Sequence, residues 1–261
     1  DLFGAPTTNP PEPQIGSDTA AQAQTEEPTI QPMMQNAVDV RQQTAEEVSN
    51  AITQHGERPL ARLNRLGLLN PRMMAVHMTQ LTDDEIALSA EQGIHVVHCP
   101  ESNLKLASGL CPVAQLLEAG TNVCLGTDSA SSNNDLDMLG EMRSACLIAK
   151  TTANDARVLP AWQALEMATI NGAKALNVQD DIGSLEVGKS ADIVAIDLNH
   201  LSTQPVYNPI SQIVYSASRD QVTDVWIEGQ ARVKDKSLVN QDVSQILQNA
   251  TLWGERLAHK E

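Results

Sequence analysis

Alternating blocks of apolar and polar residues divide most of the chain into short strands and helices. Three short apolar runs predict buried strands, at 73–77, 94–98 and 122–126, and the second is rich in β-branched residues. Amphipathic stretches predict helices at 44–55, 82–93, 112–120, 135–150 and 161–176. Because strands alternate with helices at this spacing, we expect βα units and a parallel sheet, and therefore an α/β fold.

Local signals mark several helix starts. Two capping boxes are present, formed by Thr44 with Glu47 and by Thr82 with Glu85. Pro112 is placed at the favoured first position of the helix that runs to Gly120. The segment 99–109 is predicted to be a loop.

After Asn177 the pattern changes. A turn-rich stretch leads into a strand that ends near Asp197, and 222–227 and 230–233 predict a hairpin around a Glu228–Gly229 turn. Residues 241–259 predict a terminal helix. This tail therefore predicts a small β-rich unit followed by a helix.

The first 35 residues have a different composition from the rest. They contain six of the 13 prolines, five acidic residues and no Lys or Arg. Such a stretch buries too little apolar area to offset its ordering entropy, so we expect 1–35 to be a flexible leader. Composition favours a leader without a function of its own over a binding motif.

Charge and composition exclude several classes of partner. The chain carries 17 Lys plus Arg against 33 Asp plus Glu, a formal charge of −16, which repels phosphate backbones and anionic lipid surfaces. We therefore expect neither nucleic acid nor a membrane as a partner. The four cysteines show no C-x-x-C spacing, which favours buried reduced thiols. No signal peptide is visible, so the cytoplasm is the expected location.

Three residues that could bind a metal or exchange a proton lie at the ends of predicted strands. They are His77, His98 and Asp128, and the ligand site of parallel βα folds lies at this edge of the sheet. Each has a simpler interpretation, because a strand-end His can be a hydrogen-bonded packing residue and Asp128 can cap a helix. Their repetition at equivalent positions favours a site.

Several ordered segments resemble one family. The segments are 76–77, 98–109, 126–134, 141–143, 168–173 and 183–197. Together they are similar to the amidohydrolase-superfamily deaminases, and most similar to the methylthioadenosine/S-adenosylhomocysteine deaminases. The resemblance covers about 44–258 and is far more specific than any single motif.

The resemblance implies a fold and a chemistry. It implies a (β/α)₈ barrel with a small β-rich appendage, and a divalent metal, usually zinc, that activates water to deaminate a purine-type small molecule. His77 resembles the residue that orients the hydroxide or substrate, and Asp128 the one that contacts metal and takes a proton; both are the candidate metal residues. The implied substrate-binding positions are Glu101, Ser102, Asn103 and Ser132. His98 matches a position with a structural or supporting role.

Other positions depart from the family pattern. The chain contains no His-x-His pair, although the family has one on its first strand. Counting back from Thr44, Gln43 stands where the family has a proton-shuttling Glu, and Val40 where it has a metal-binding His. A carboxamide cannot accept and return a proton as a carboxylate does, and an isopropyl group cannot bind zinc.

We therefore expect a partial barrel over 36–180, with a β-rich appendage and terminal helix over 181–261. Three interpretations follow: a divergent or truncated deaminase, a catalytically inactive half-barrel acting through protein association, or one half of a split enzyme. Exposed strand edges and helix faces predict a homo-oligomer or a complementing chain.

Overall fold

A computed structural model describes residues 42–258. The predicted leader over 1–35 and the position of Val40 lie outside the described residues. The described part contains a three-stranded parallel sheet with helices, followed by a four-stranded antiparallel sheet. The predicted α/β fold is therefore confirmed.

The parallel sheet comprises the three strands predicted from the apolar runs, each slightly shorter than predicted. They are β1 (Met74–Val76), β2 (His95–His98) and β3 (Asn122–Leu125). The sheet order β1-β2-β3 follows the chain, and Val76 lies opposite Val97 while His98 lies opposite Leu125. Helices connect successive strands, as parallel pairing requires. The carboxyl ends of all three strands therefore meet at one edge.

Eight helices accompany this sheet in the described residues. They are α1 (Ala45–His55), α2 (Pro59–Arg65), α3 (Asp83–Glu91), α4 (Pro100–Lys105), α5 (Val113–Glu118), α6 (Met138–Ala153), α7 (Ala161–Met167) and α8 (Ile170–Ala175). Both predicted capping boxes form, at the start of α1 and of α3.

Several details of the helix prediction were wrong, and α2 was not predicted. The predicted loop over 99–109 contains α4, and the predicted helix over 161–176 is divided into α7 and α8. It divides at Thr169, whose φ of −132° and ψ of −97° are not helical. Pro112 is the N-cap of α5, which begins at Val113.

The second sheet is antiparallel and confirms the predicted hairpin. Its strands are β4 (Ile193–Ile196), β5 (Val222–Ile227), β6 (Gln230–Lys234) and β7 (Ser237–Leu238), paired in that order. Helix α9 (Pro209–Tyr215) lies between β4 and β5 in the chain, and α10 (Val243–Ala258) follows the sheet.

One core joins the first sheet to the helices around it. Ala75, Val96 and Val123 are each 0% exposed and pack with apolar residues of α6 and α7. Val214 of α9 belongs to the same core, and Arg143 Nε of α6 donates to its carbonyl oxygen at 3.2 Å. Helix α9 therefore packs into the core of the first sheet, although it lies within the predicted appendage range 181–261.

The four cysteines are buried free thiols, as predicted. Among the helices of residues 42–258, none combines the length and the apolar character that crossing a lipid bilayer requires.

Candidate active site

The carboxyl edge of the parallel sheet carries two candidate residues in unusual backbone conformations. The amide of His77 donates to Val97 O at 2.9 Å, and that of Gly126 donates to His98 O at 3.0 Å, so the strand pairing continues to this edge. Beyond it, His77 and Asp128 adopt positive φ values of 70° and 63°. This left-handed region is disfavoured for L-residues, and such strain is concentrated at functional sites.

Asp128 is held by hydroxyl groups. Its Oδ2 accepts hydrogen bonds from Ser102 Oγ at 2.7 Å and from Ser132 Oγ at 2.6 Å. Burial alone would raise the pKa of Asp128, but the two serine hydroxyls and the Ser129 amide outweigh it, so this pKa lies below its usual range. The side chain is therefore a carboxylate near neutral pH.

The ring of His77 lies between Asp128 and Asn103. Nδ1 is 2.9 Å from Asn103 Oδ1, which is a hydrogen bond. Nε2 is 3.8 Å from Asp128 Oδ2, which is too long for one. The ring is 13% exposed. One ring nitrogen is therefore bonded to protein, and the other faces the carboxylate across a gap.

The structure brings five of the six predicted site residues together. These are His77, Ser102, Asn103, Asp128 and Ser132. The sixth, Glu101, points towards α6, where its Oε1 accepts from Ser144 Oγ at 2.8 Å. The roles assigned to these residues remain predictions.

His98 is the last residue of β2. It shares the buried face of β2 with Val96 and is 1% exposed. Neither ring nitrogen has a hydrogen-bond partner among residues 42–258. Burial, together with the neighbouring His77, lowers the pKa of His98 to about 3. The ring is therefore neutral at ordinary pH, as a packing residue would be.

Gln43 lies close to the site but presents an amide. Its side-chain Nε2 donates to Ser108 Oγ at 3.1 Å, and its backbone carbonyl accepts from Thr79 Oγ1 at 2.6 Å. The amide of Ser108 in turn donates to Asn103 O at 3.0 Å. Gln43 is thus linked to the site through Ser108, in place of the carboxylate that the family pattern leads us to expect.

Sequence reasoning assigned no role to Glu141, although its segment contributed to the resemblance. Glu141 is 0% exposed and accepts hydrogen bonds from Asn133 Nδ2 and from the Glu101 amide. It joins the loop after Ser132 to the start of α4, which carries Ser102. Burial raises the pKa of Glu141 to about 7. A lone Glu in an amphipathic helix gives no signal of such a role.

The described residues do not fit a zinc site by themselves. Zinc in proteins takes three or four side-chain ligands. Within residues 42–258, no group of three or more His, Cys, Asp or Glu side chains is placed to hold a metal ion. His77 and Asp128 offer two donors, and Asp128 Oδ2 already accepts two hydroxyls.

Parallel βα units that carry ionisable residues at their carboxyl edge define an α/β protein with a candidate site at that edge. The model of the Amidohydrolase family matches residues 6–232, and the chain belongs to this family. The resemblance predicted from the sequence is thereby confirmed. The match begins inside the predicted leader.

Relatives named 5-methylthioadenosine/S-adenosylhomocysteine deaminase are similar to this chain. Those of Teredinibacter turnerae and Moorella thermoacetica are 50% and 44% identical over 218 and 209 residues. The alignments cover 84% and 80% of this chain and 49% of each relative. The chain thus spans about half the length of the curated relatives it matches.

Solved structures of zinc-bound hydrolases are also similar to this chain. An adenosine deaminase from Xanthomonas campestris with bound zinc is 53% identical with a TM-score of 0.82, over 83% of this chain and 49% of that one. Atrazine chlorohydrolase from Arthrobacter aurescens, complexed with zinc, is 27% identical with a TM-score of 0.74, over 78% and 46% of the two chains.

Proposed function

We propose that this protein takes part in the hydrolytic deamination of adenine-type thioethers of the methylthioadenosine and S-adenosylhomocysteine class. In this proposal, residues 42–258 form the part of the active site that contains His77 and Asp128. One observation carries it: two strand-end residues with left-handed backbones face each other, Nε2 to Oδ2, at 3.8 Å. The names of the relatives support the substrate class.

The roles follow from protonation and contacts. In hydrolytic deamination, water adds to the amine-bearing ring carbon, the C–N bond breaks, ammonia leaves and a carbonyl forms. Asp128, as a carboxylate, would accept a proton from the attacking water and pass it to the leaving amine. His77 would form a hydrogen bond with the water or the substrate, and the two serines would hold the carboxylate in place.

The surrounding architecture is part of the proposal. We infer that β1, β2 and β3 belong to a (β/α)₈ barrel, with 36–180 as barrel and 181–261 as appendage and terminal helix, although α9 packs into the core of the first part. A metal-activated water would require further donors from outside the described residues. A cytoplasmic location and a homo-oligomeric or complemented assembly are proposed with it.

Two alternatives have specific support. The amide of Gln43 and the shortage of metal donors in residues 42–258 favour a catalytically inactive protein that acts through association. The same shortage favours a split enzyme, in which a second polypeptide supplies the remaining donors.

Ammonia release and zinc content distinguish these functions. Methylthioadenosine and adenosylhomocysteine are incubated with the chain alone, and with the chain plus the separately expressed N-terminal half of the Teredinibacter relative. We expect turnover with the chain alone or with the two halves mixed. In Asp128→Asn we expect the turnover rate to fall by about 100-fold or more. Turnover with stoichiometric zinc in the chain alone indicates a self-sufficient enzyme, and turnover only in the mixture indicates a split enzyme. Absence of turnover in both, or turnover that Asp128→Asn leaves unchanged, overturns the proposal.

A further inference from the structure

Asn103 is fixed within the protein rather than presented to solvent. It belongs to α4. Its backbone N–H donates to Cys99 O at 3.0 Å, and its backbone carbonyl accepts from the Ser108 N–H at 3.0 Å. The residue is 2% exposed. Among the described residues its side chain makes one hydrogen bond, to His77, which points to a role in holding that ring.

That hydrogen bond determines which nitrogen of His77 carries the proton. An amide oxygen only accepts, and Asn103 Oδ1 is 2.9 Å from Nδ1, so Nδ1 must donate. In a neutral imidazole the other nitrogen, Nε2, then has a free lone pair. The lone pair faces the side on which Asp128 lies.

Asp128 alone would favour the opposite tautomer, because a carboxylate accepts a hydrogen bond from Nε2–H. Its Oδ2 is 3.8 Å from Nε2, however, and already accepts the hydroxyls of Ser102 and Ser132 at 2.7 and 2.6 Å. The serines therefore occupy the oxygen that competes with Asn103. The closer partner of the His77 ring is the side-chain amide of Asn103.

We propose that Asn103 is a positioning residue that keeps His77 in the Nδ1–H tautomer, so that Nε2 is a hydrogen-bond acceptor at the site. Its catalytic meaning rests on the proposed function, in which Nε2 accepts a hydrogen bond from the attacking water or the substrate. Asn103 Nδ2 is buried without a partner among the described residues.

Nitrogen NMR of the intact chain tests the proposal. The chain is labelled with ¹⁵N, and its histidines are observed at alkaline pH, where imidazoles are neutral. The His77 signals are identified by their loss in His77→Gln. We expect the protonated-nitrogen shift on Nδ1 and the unprotonated shift on Nε2.

Three variants separate the amide oxygen from general packing. In Asn103→Leu the acceptor is lost, and we expect the proton to move to Nε2 in most molecules. In Asn103→Asp an oxygen remains, and we expect Nδ1–H to persist. Thr121→Val removes a buried hydroxyl that has no partner among the described residues, and we expect it to leave the His77 shifts unchanged.

Two results overturn the proposal. One is a wild-type His77 protonated on Nε2, which would mean that the Asn103 amide has the reverse orientation. The other is an Asn103→Leu spectrum that still shows Nδ1–H. If Asn103→Leu does not fold, the wild-type and Asn103→Asp spectra still decide. Because no measurement here involves turnover, an inactive chain would refute the proposed function without affecting this result.

Discussion

At the scale of single residues, two carboxylic acids show how neighbours set ionisation in opposite directions. The side chain of Asp128 is 29% exposed and receives two hydroxyl hydrogen bonds that stabilise its charge. Glu141 is 0% exposed, and burial, with Glu101 nearby, raises its pKa from 4.5 to about 7. Near neutral pH, Asp128 is therefore charged, whereas Glu141 is divided between its two forms.

The raised pKa of Glu141 predicts a pH-dependent stability. Between pH 4.5 and about 7 the folded state binds this proton more tightly than the unfolded state. The contribution of this group to the free energy of unfolding should therefore fall as pH rises through this window, by roughly 3 kcal/mol, and be highest below pH 4.5. Urea unfolding at a series of pH values measures it.

Glu141→Gln removes the titrating group, so most of this slope should disappear. Glu166→Gln, which replaces an exposed carboxylate on α7, is the matched control and should keep the wild-type profile. An unchanged slope in Glu141→Gln would show that another group causes it.

How far the site can be predicted from sequence depends on the kind of information needed. The positions of His77 and Asp128 follow from strand ends, because parallel strands place their carboxyl ends at one edge. The direction of Glu101 does not follow, because it depends on how α4 is rotated against α6. The hydrogen bond between Asn103 and His77 joins residues 26 apart in the chain, and no local pattern encodes it.

At the scale of elements, one capping motif serves two different purposes. In α1, Glu47 Oε2 accepts the Thr44 amide at 3.0 Å and the Gln43 amide at 3.1 Å. In α3, Glu85 accepts the Thr82 amide at 3.1 Å, and also accepts from Gln42 and Arg58, two distant side chains. The second box therefore also joins the start of α1 to α3.

This difference predicts unequal losses of stability. Glu47→Ala should reduce the free energy of unfolding by about 1 kcal/mol, the usual value of a lost cap. Glu85→Ala should reduce it by about 3 kcal/mol. It also removes the hydrogen-bond acceptor of the buried Gln42 amide, and it leaves Arg58, whose side chain is 28% exposed, without a counter-charge. Urea unfolding of both variants measures the difference, and equal losses would show that the ion pair contributes nothing beyond the cap.

The elements that sequence predicted well have strong local signals. The three parallel strands are continuous apolar runs, and α1 and α3 begin with capping boxes. Helices α2, α4 and α9 were not predicted, because six or seven residues are too few to show a helical repeat. The break between α7 and α8 was missed because the apolar pattern continues through Thr169, where only the backbone changes.

At the scale of the whole molecule, a large negative charge accompanies exposed apolar side chains. The chain has a formal charge of −16 and a sequence pI of about 4.6. Several large apolar side chains are more than half exposed, among them Leu185, Val187, Leu201, Tyr207, Trp253 and Leu257. Charge repulsion between molecules should therefore oppose an apolar attraction.

This balance predicts self-association that depends on pH and salt. Light scattering should increase as pH falls towards 4.6, and at pH 7.5 it should increase with added NaCl, because salt screens the repulsion. The double variant Trp253→Glu/Leu257→Glu on α10 should scatter less under both conditions. Scattering that is flat with pH and salt would show that the exposed apolar side chains do not drive association.

The left-handed backbones of His77 and Asp128 also bear on how this sequence changes over generations. Each conformation costs about 1 kcal/mol or more for a residue with a side chain, although His and Asp tolerate it better than most. Glycine would relieve that strain at either position. In a lineage no longer selected for chemistry, replacement by glycine would therefore be favoured rather than merely tolerated. Sequences of close relatives that retain both His77 and Asp128 would then be a record of continued use.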